Sequence, residues 1–175
     1  MSPVDSINNI SLKRRMSKKD YDKLLSNLQN LKVELYLSYK DMGFNATLIN
    51  SSIRWYELAS YITIEENNDI LSKVYLHIND FIIIQEEKYK ESYAIVKGIF
   101  KHKGNDGNNY AFIVVDWFED TKKKHSTLKC PIYHLQTKDW RRIFPIHVID
   151  NMKKVHFIRY SDKKWIKNDF YFTAI

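Results

Sequence analysis

The most constraining feature of the sequence is a change in hydrophobic period near residue 71. In "SKKDYDKLLSNLQNLKVELYLSYKDMG", residues 17–43, apolar side chains recur every three or four positions, as they do on one face of a helix. From residue 73, "KVYLHINDFIIIQ" alternates instead and is rich in β-branched residues, as strands are. We therefore expect an α+β chain, in which an N-terminal helical unit is followed by a β domain.

Three segments are predicted in the N-terminal part of the chain. Residues 1–16 include a run of three basic side chains but no sustained apolar period, which predicts a flexible basic arm. The helix over residues 17–43 is expected to begin with Ser17 as its N-cap and to end at a glycine. A shorter helix is predicted over residues 46–62, completing a two-helix unit at 17–70. Such helices need a packing surface, either in this chain or on a larger protein partner.

Residues 71–175 are predicted to form a compact antiparallel β sandwich or partly open barrel. At least five alternating segments are separated by turn signals, among them Asn79-Asp80 and the loop "KGNDGN", which predicts a hairpin. The candidate strands lie within residues 73–85, 92–102, 110–118, 142–150, 154–160 and 168–175.

Positive charge is concentrated in the predicted β domain. The net charge is +7, and because residues 1–70 hold nine basic and nine acidic side chains, the whole excess falls in residues 71–175. This asymmetry indicates either an anionic partner such as nucleic acid or a solvated, lysine-rich surface. The candidate nucleic-acid-binding residues are Lys122, Lys123, Lys124, Arg141, Arg142, Lys163 and Lys164.

Tryptophans accompany two of these basic groups. Trp140 precedes the arginine pair, and Trp165 follows the Lys163-Lys164 pair. Flexible cations can contact phosphates, and an aromatic ring beside them can stack on a base. The competing interpretation is that the tryptophans anchor loops to the core while the charges are solvated.

Cysteine and histidine usage argues against several classes of protein. Cys130 is the sole cysteine, so the chain cannot form an internal disulfide, and no secretory or membrane-spanning segment is evident. His125, Cys130 and His134 form an H-x4-C-x3-H pattern, but zinc would need a fourth ligand, and polar loop histidines explain the pattern as well. "EEK" at residues 86–88 resembles a nuclease element but lacks an evident acidic partner. We expect neither a cofactor nor an enzyme.

Four segments in the β region resemble, in order, those of a bromo-adjacent homology (BAH) domain. They are the opening strand "HINDFIIIQEE", the strand "AIVKGIF", the signature strand "FIVVDWFED" and the segment "FPIHVIDNMKKVHFI". The closing segment "NDFYFTAI" corresponds in position to the last aromatic strand of that family. "LKCPIYHLQT" and "DWRRIFPI" also resemble BAH-like segments of mobile-element proteins.

The resemblance implies a non-catalytic chromatin module that binds nucleosomes, histone tails or other proteins in the nucleus. Some members read methylated lysine with an aromatic cage, since ring quadrupoles attract a diffuse cation. Trp117 matches the signature tryptophan of the cage. Glu119 lies where several readers carry another aromatic residue, while the cage tyrosine aligns with Ser92, one residue from Tyr93. These four residues are the candidate peptide-binding site.

Two other functions are left open by the sequence. The chain could be a non-specific nucleic-acid-binding accessory domain of a mobile-element protein, in which the β domain contacts the phosphate backbone. It could also be a structural scaffold subunit whose helices recruit a larger partner.

Overall fold

The computed structural model describes residues 7–44, 52–64, 71–86, 90–136, 140–151 and 153–170. Within these ranges there are two helices, α1 (Lys18–Ser26) and α2 (Leu31–Asp41). The strands are β1 (Ile7–Arg15), β2 (Arg54–Ile64), β3 (Leu71–His77), β4 (Phe81–Glu86), β5 (Lys90–Lys103), β6 (Asn109–Lys124), β7 (Pro131–Gln136), β8 (Ile143–Pro145), β9 (Ile149–Asp150), β10 (Phe157–Arg159) and β11 (Lys164–Lys167). The predicted β-rich, antiparallel character is confirmed.

The chain divides into two compact units, and neither is a continuous segment. Unit 1 comprises residues 1–80, 96–115 and 141–148, and unit 2 comprises residues 81–95, 116–140 and 149–175. The long strands β5 and β6 each contribute residues to both units. Unit 1 therefore includes segments from both sides of the predicted boundary at residue 70.

The predicted flexible arm is wrong for residues 7–15, which form strand β1. This strand pairs antiparallel with β2, from Ile7 opposite Thr63 to Arg15 opposite Tyr56. Six of the nine residues of β1 are polar, and its residues 10–15 are exposed or half-buried, so the strand forms without a sustained apolar alternation. Residues 1–6 of the predicted arm lie outside the described residues.

The predicted helix over residues 17–43 is two helices. Ser17 caps α1 as expected, since its hydroxyl accepts a hydrogen bond from the Asp20 N–H at 3.2 Å. The helix ends at Asn27, whose N–H donates to the Leu24 carbonyl, and α2 starts at Leu31. Residues 27–30 contain neither Gly nor Pro, so the apolar period continues across a break that no local breaker residue marks.

The second predicted helix, over residues 46–62, is also wrong where the structure describes it. Residues 54–62 belong to β2, and residues 46–51 lie outside the described ranges. β2 pairs with β1 and β3, and its first residues pair with β5. Hydrogen bonding to three neighbouring strands overrides a local sequence whose apolar spacing suits a helix.

Aromatic residues fill the core of unit 1, in which the two helices pack against the strands. Phe100 and Phe112 stack with ring centroids 5.2 Å apart, and Trp55 tilts against Phe100 at 5.0 Å. From α2, Tyr39 reaches the same cluster and its hydroxyl is 2.7 Å from Nδ1 of His102. The buried helix face is thus held by both packing and a buried hydrogen bond.

Unit 2 has a separate aromatic core. Phe118 of β6 stacks on Phe157 of β10, with centroids 3.9 Å apart and planes 7° from parallel. Tyr133 and Trp165 meet this pair edge-on, the first at 5.4 Å from Phe157 and the second at 5.6 Å from Phe118. Burial raises the pKa of Tyr133 to about 12, and the nearby Asp120 carboxylate makes a smaller contribution in the same direction. This core holds the four-strand array that carries the candidate site.

Within the predicted β domain, the turn at residues 79–80 and the β5–β6 hairpin are confirmed. Asn79 adopts a φ of 73°, and the Gly104 N–H donates to the Asn108 carbonyl at 2.8 Å across the hairpin. The predicted closing strand is not formed at residues 168–170, and its remainder, residues 171–175, lies outside the described part of the chain. No helix in the described ranges is long and apolar enough to span a membrane.

Candidate anion-binding surface

The candidate site lies on a four-strand array of unit 2, in which β6, β7, β11 and β10 are neighbours in that order. The register places Glu119 opposite His134, which in turn lies opposite Lys164. Phe118 points into the aromatic core. Because successive residues of a strand point to opposite faces, Trp117 and Glu119 lie on the other face.

The β6 side of the β6–β7 hairpin ends in a lysine-rich segment with a bulge. Regular pairing stops at Asp120 and resumes at Lys123, so Thr121 and Lys122 are inserted between them. Lys122 has a φ of 62°, and the Asp120 carboxylate accepts a hydrogen bond from its N–H at 2.8 Å. The Thr121 hydroxyl donates to a β7 carbonyl at 2.7 Å. The side chains of Lys122–Lys124 are all exposed.

The tip of this hairpin is held together by hydrogen bonds to His125. Nδ1 of His125 accepts hydrogen bonds from the N–H groups of Leu128 at 3.1 Å and Thr127 at 3.3 Å. The His125 N–H donates to the Cys130 carbonyl, and the Lys129 N–H donates to the His125 carbonyl, both at 2.9 Å. Lys129 is exposed and has a φ of 59°. The tip is therefore an ordered turn that presents a fourth lysine.

The turn between β10 and β11 meets the hairpin tip. The N–H groups of Tyr160 and Ser161 donate to the Lys164 carbonyl at 2.8 and 3.2 Å. The Tyr160 ring lies 5.4 Å from the His125 ring, at an interplanar angle of 87°. This contact joins two elements that are separate in sequence, and both Lys163 of the turn and Lys164, the first residue of β11, are exposed.

These two elements form what we call the basic surface. It consists of six exposed lysines: Lys122, Lys123, Lys124, Lys129, Lys163 and Lys164. Two nearby carboxylates are already engaged, since Asp120 lies 3.6 Å from the Lys122 ammonium and Asp162 lies 3.5 Å from the Arg159 guanidinium. Residues 116–136 and 153–170 together hold ten basic and five acidic side chains, which leaves an excess of positive charge.

The four predicted peptide-binding residues are not gathered into one cage. Trp117 is 3% exposed and packs edge-on against Trp140, with ring centroids 6.2 Å apart. Tyr93 instead packs against Tyr133 and Phe157 of the aromatic core, each at 5.9 Å. Glu119 and Ser92 are half-buried. A peptide-binding role for Trp117, Glu119, Tyr93 and Ser92 stays a prediction.

The two predicted arginines belong to unit 1 and contact α2. The Arg141 guanidinium lies 2.6 Å from the Asp41 carboxylate and donates to the Ser38 hydroxyl at 2.9 Å. Arg142 is 4% exposed, and its guanidinium donates to the Val115 carbonyl at 3.1 Å and to the Asn27 side chain at 3.0 Å. Both guanidinium groups are engaged within the protein. We therefore do not include them in the basic surface.

Three residues of the site are not among the nucleic-acid-binding residues that the sequence predicts. Tyr160, His125 and Lys129 owe their importance to the contact between hairpin tip and turn, which no local pattern reveals. In the sequence, His125 stands out only in the H-x4-C-x3-H pattern, which either a zinc ligand or a polar loop histidine explains. In the ranges that the structure describes, no three His, Cys, Asp or Glu side chains cluster closely enough to hold a metal ion. The one sequence signal for Tyr160 was its place beside Ser161-Asp162, a turn sequence next to two lysines.

Comparison with known proteins gives no family for the chain. No protein-family model matches it, and no curated protein matches it significantly.

Proposed function

We propose that the chain is a non-catalytic interaction module of chromatin, of BAH type, that binds the nucleosome surface in the nucleus through its basic surface. The observation that carries the proposal is the His125–Tyr160 contact, which joins the hairpin that carries the exposed Lys122–Lys124 and Lys129 to the segment that carries the exposed Lys163 and Lys164. The partner contacted there is nucleosomal DNA.

Exposed lysines suit this partner for a physical reason. Their ammonium groups are flexible point charges that neutralise phosphates, and each contact releases condensed counterions. Such contacts position a protein on DNA without reading its sequence. In the ranges that the structure describes, neither helix presents an arginine, so we propose binding that is independent of base sequence.

The proposal is tested by electrophoretic mobility shift of reconstituted nucleosomes and of free duplex DNA at low and physiological salt. We expect both to bind and affinity to fall steeply with salt, because several phosphates are neutralised. The variant Lys122→Gln/Lys123→Gln/Lys124→Gln should weaken binding by roughly tenfold or more. It should also reduce the slope of log affinity against log salt by about three, since each lysine that neutralises a phosphate contributes about one unit.

A matched control variant removes the same charge elsewhere. Lys19, Lys23 and Lys32 are exposed lysines on the helices of unit 1, and their triple Gln variant should retain nucleosome binding. Equal losses in both triple variants would show that only net charge matters. Absence of salt-dependent binding in the unmodified chain would refute the proposal.

A second candidate function is recognition of a histone tail, favoured by the Trp117–Trp140 contact. Trp140 is 41% exposed, so one ring of the pair can meet a cationic side chain, and Glu119 lies on the same strand face as Trp117. Trp140→Ala should then abolish binding on a modified histone-peptide array while the fold, followed by circular dichroism, is kept. Unchanged peptide binding in that variant would exclude this function.

Comparing the affinity for nucleosomes with the affinity for naked DNA also distinguishes the two remaining functions. A nucleic-acid-binding accessory domain of a mobile-element protein would bind naked duplex at least as tightly as nucleosomes. A scaffold subunit would bind neither and would retain a protein partner through its helices.

A further inference from the structure

Tyr160 is an exposed aromatic residue placed among the cations of the basic surface. It is 51% exposed, although it is held by a backbone hydrogen bond to Lys164 at 2.8 Å and by the perpendicular His125 ring. Ile158, two residues earlier, is 44% exposed. The backbone of Tyr160 is held in place while about half of its side chain is exposed to solvent. Apolar surface of the ring is therefore accessible to a ligand.

We propose that Tyr160 is a stacking platform for an unpaired nucleobase, so that the basic surface prefers single-stranded nucleic acid to duplex. This inference rests on the proposed binding of nucleic acid at that surface: a duplex such as nucleosomal DNA is bound through its phosphates alone, and a strand with unpaired bases gains the stacking contact in addition. In a duplex, each base is already stacked on its neighbours, and only the backbone and groove edges are accessible. An unpaired base offers its whole face.

The surroundings of Tyr160 supply the charges that such a strand needs. Lys163 and Lys164 follow it after Ser161 and Asp162, and the His125 ring that contacts Tyr160 belongs to the hairpin that carries the other four lysines. A strand whose phosphates follow these cations brings its bases toward the ring. Stacking of a base on an aromatic side chain tolerates any base, because every base has a π-face.

A protein partner with an acidic patch fits the lysines but leaves the ring without a specific role. The neighbouring Asp162 carboxylate is 3.5 Å from the Arg159 guanidinium and so does not cancel the six lysines. Positive charge combined with an exposed ring is the pattern by which proteins bind single strands. We therefore infer nucleic acid with unpaired bases, whether DNA or RNA.

The experiment measures fluorescence anisotropy of the full chain with three labelled probes: oligo-dT, oligo-U and a duplex of equal length. The unmodified chain should bind the single strands more tightly than the duplex. Tyr160→Ala should weaken single-strand binding about tenfold, in line with the loss of one stacked base, and change duplex binding much less. Tyr160→Phe should bind as the unmodified chain does, because the ring is kept. The oligo-dT and oligo-U arms decide between DNA and RNA.

Salt dependence separates stacking from charge. Since Tyr160→Ala removes no cation, it should leave the slope of log affinity against log salt unchanged, whereas the Lys122–Lys124 triple variant should lower it. Tyr75 of β3 provides a matched control, because it is a tyrosine that is 56% exposed but lies in unit 1. Tyr75→Ala should bind every probe normally.

The outcomes distinguish this inference from the proposed function. If Tyr160→Ala weakens single-strand and duplex binding equally, or if duplex binds as well as single strands, the stacking role is overturned while binding at the basic surface stands. If no probe binds in a salt-dependent way, the proposed function itself fails.

Discussion

Two groups of basic residues that look alike in the sequence are used differently in the two units. In unit 1, Arg142 is buried and Arg141 is largely covered, and both are hydrogen-bonded to α2 or to the residues before it. In unit 2, the lysines of the basic surface are exposed. In the sequence, Trp140 directly precedes the arginine pair, and Trp165 directly follows Lys164. Their roles follow from what surrounds them in space.

The arginine group is held by one face of α2. Glu34, Ser38 and Asp41 are spaced four and three residues apart, so their side chains line up along the helix. The Glu34 carboxylate accepts hydrogen bonds from the backbone N–H groups of Arg142 and, at 3.2 Å, of Ile143. A planar guanidinium with five donors suits such a closed set of acceptors, whereas an ammonium on a flexible stem suits an open surface.

The comparison predicts that removing the Glu34 carboxylate has the largest effect on stability. Glu34→Ala leaves two buried backbone N–H groups without their acceptor and should lower the free energy of unfolding by about 3 kcal/mol. Urea denaturation measures this. Glu34→Gln keeps an oxygen acceptor and should cost less. Equal losses in the two variants would contradict a role as hydrogen-bond acceptor.

A smaller loss of stability is expected from Arg142→Lys. The ammonium cannot reproduce the bonds that the guanidinium makes to Val115 and Asn27, so the variant should lose about 2 kcal/mol in urea denaturation. The corresponding exchange on the basic surface, Lys164→Arg, should leave the denaturation midpoint where it is. A midpoint that moves equally in both variants would remove the distinction between the two groups.

Unit 1 should also respond to pH through two histidines. Burial lowers the pKa of both His102 and His147 below the ordinary value of 6.5, with Asp41 partly opposing it for His147. Below pH 6.5 the unfolded chain binds protons that the folded chain does not yet bind. The contribution of the two histidines to the free energy of unfolding should therefore be fully present above pH 6.5. It should decline as the pH falls below 6.5, by up to about 1.4 kcal/mol per pH unit for each histidine.

Denaturation midpoints measured on either side of pH 6.5 test this dependence. His102→Gln keeps a side chain that can hydrogen-bond to the Tyr39 hydroxyl but does not titrate, so its midpoint should depend less on pH. A slope that is the same as in the unmodified chain would show that His102 does not contribute.

The smallest effect on stability is expected on the basic surface. Lys122→Gln/Lys123→Gln/Lys124→Gln changes only exposed side chains and should alter the free energy of unfolding by roughly 0.5 kcal/mol or less. The same variant should bind nucleic acid poorly. A large loss of stability would mean that the lysines serve the fold, as the arginines do.

The β-rich character of the chain after residue 71 followed from local sequence, but β7 and β11 were not among the predicted strands, and the predictions of a flexible arm and of a second helix before residue 71 were both wrong where the structure describes them. The alternating strands, the turn at residues 79–80 and the β5–β6 hairpin depend on short-range patterns and turn residues. Strands β1 and β2 depend instead on pairing with each other and with distant strands. Their sequences suggest a polar arm and a helical period, and nothing within either segment reveals the partner.

The candidate site was partly predictable for a similar reason. The lysine clusters could be predicted from the sequence, because a run of exposed lysines is identified without knowing which other residues it contacts. The hydrogen bond from Arg142 to Asn27 and the contact between His125 and Tyr160 join residues that are far apart in the sequence, so no local pattern predicts them. Trp117 and Tyr93 were candidates for the same site, but Tyr93 packs on Tyr133 and Phe157 of the aromatic core.

The buried cysteine at the base of the hairpin tip gives the chain a built-in reporter. Cys130 is its sole cysteine, is 2% exposed, and lies on the hairpin that carries four of the six lysines. A thiol reagent can reach it only when that hairpin opens. The labelling rate should therefore measure how often the hairpin opens, and it should slow when a ligand binds over the tip, without any engineered label.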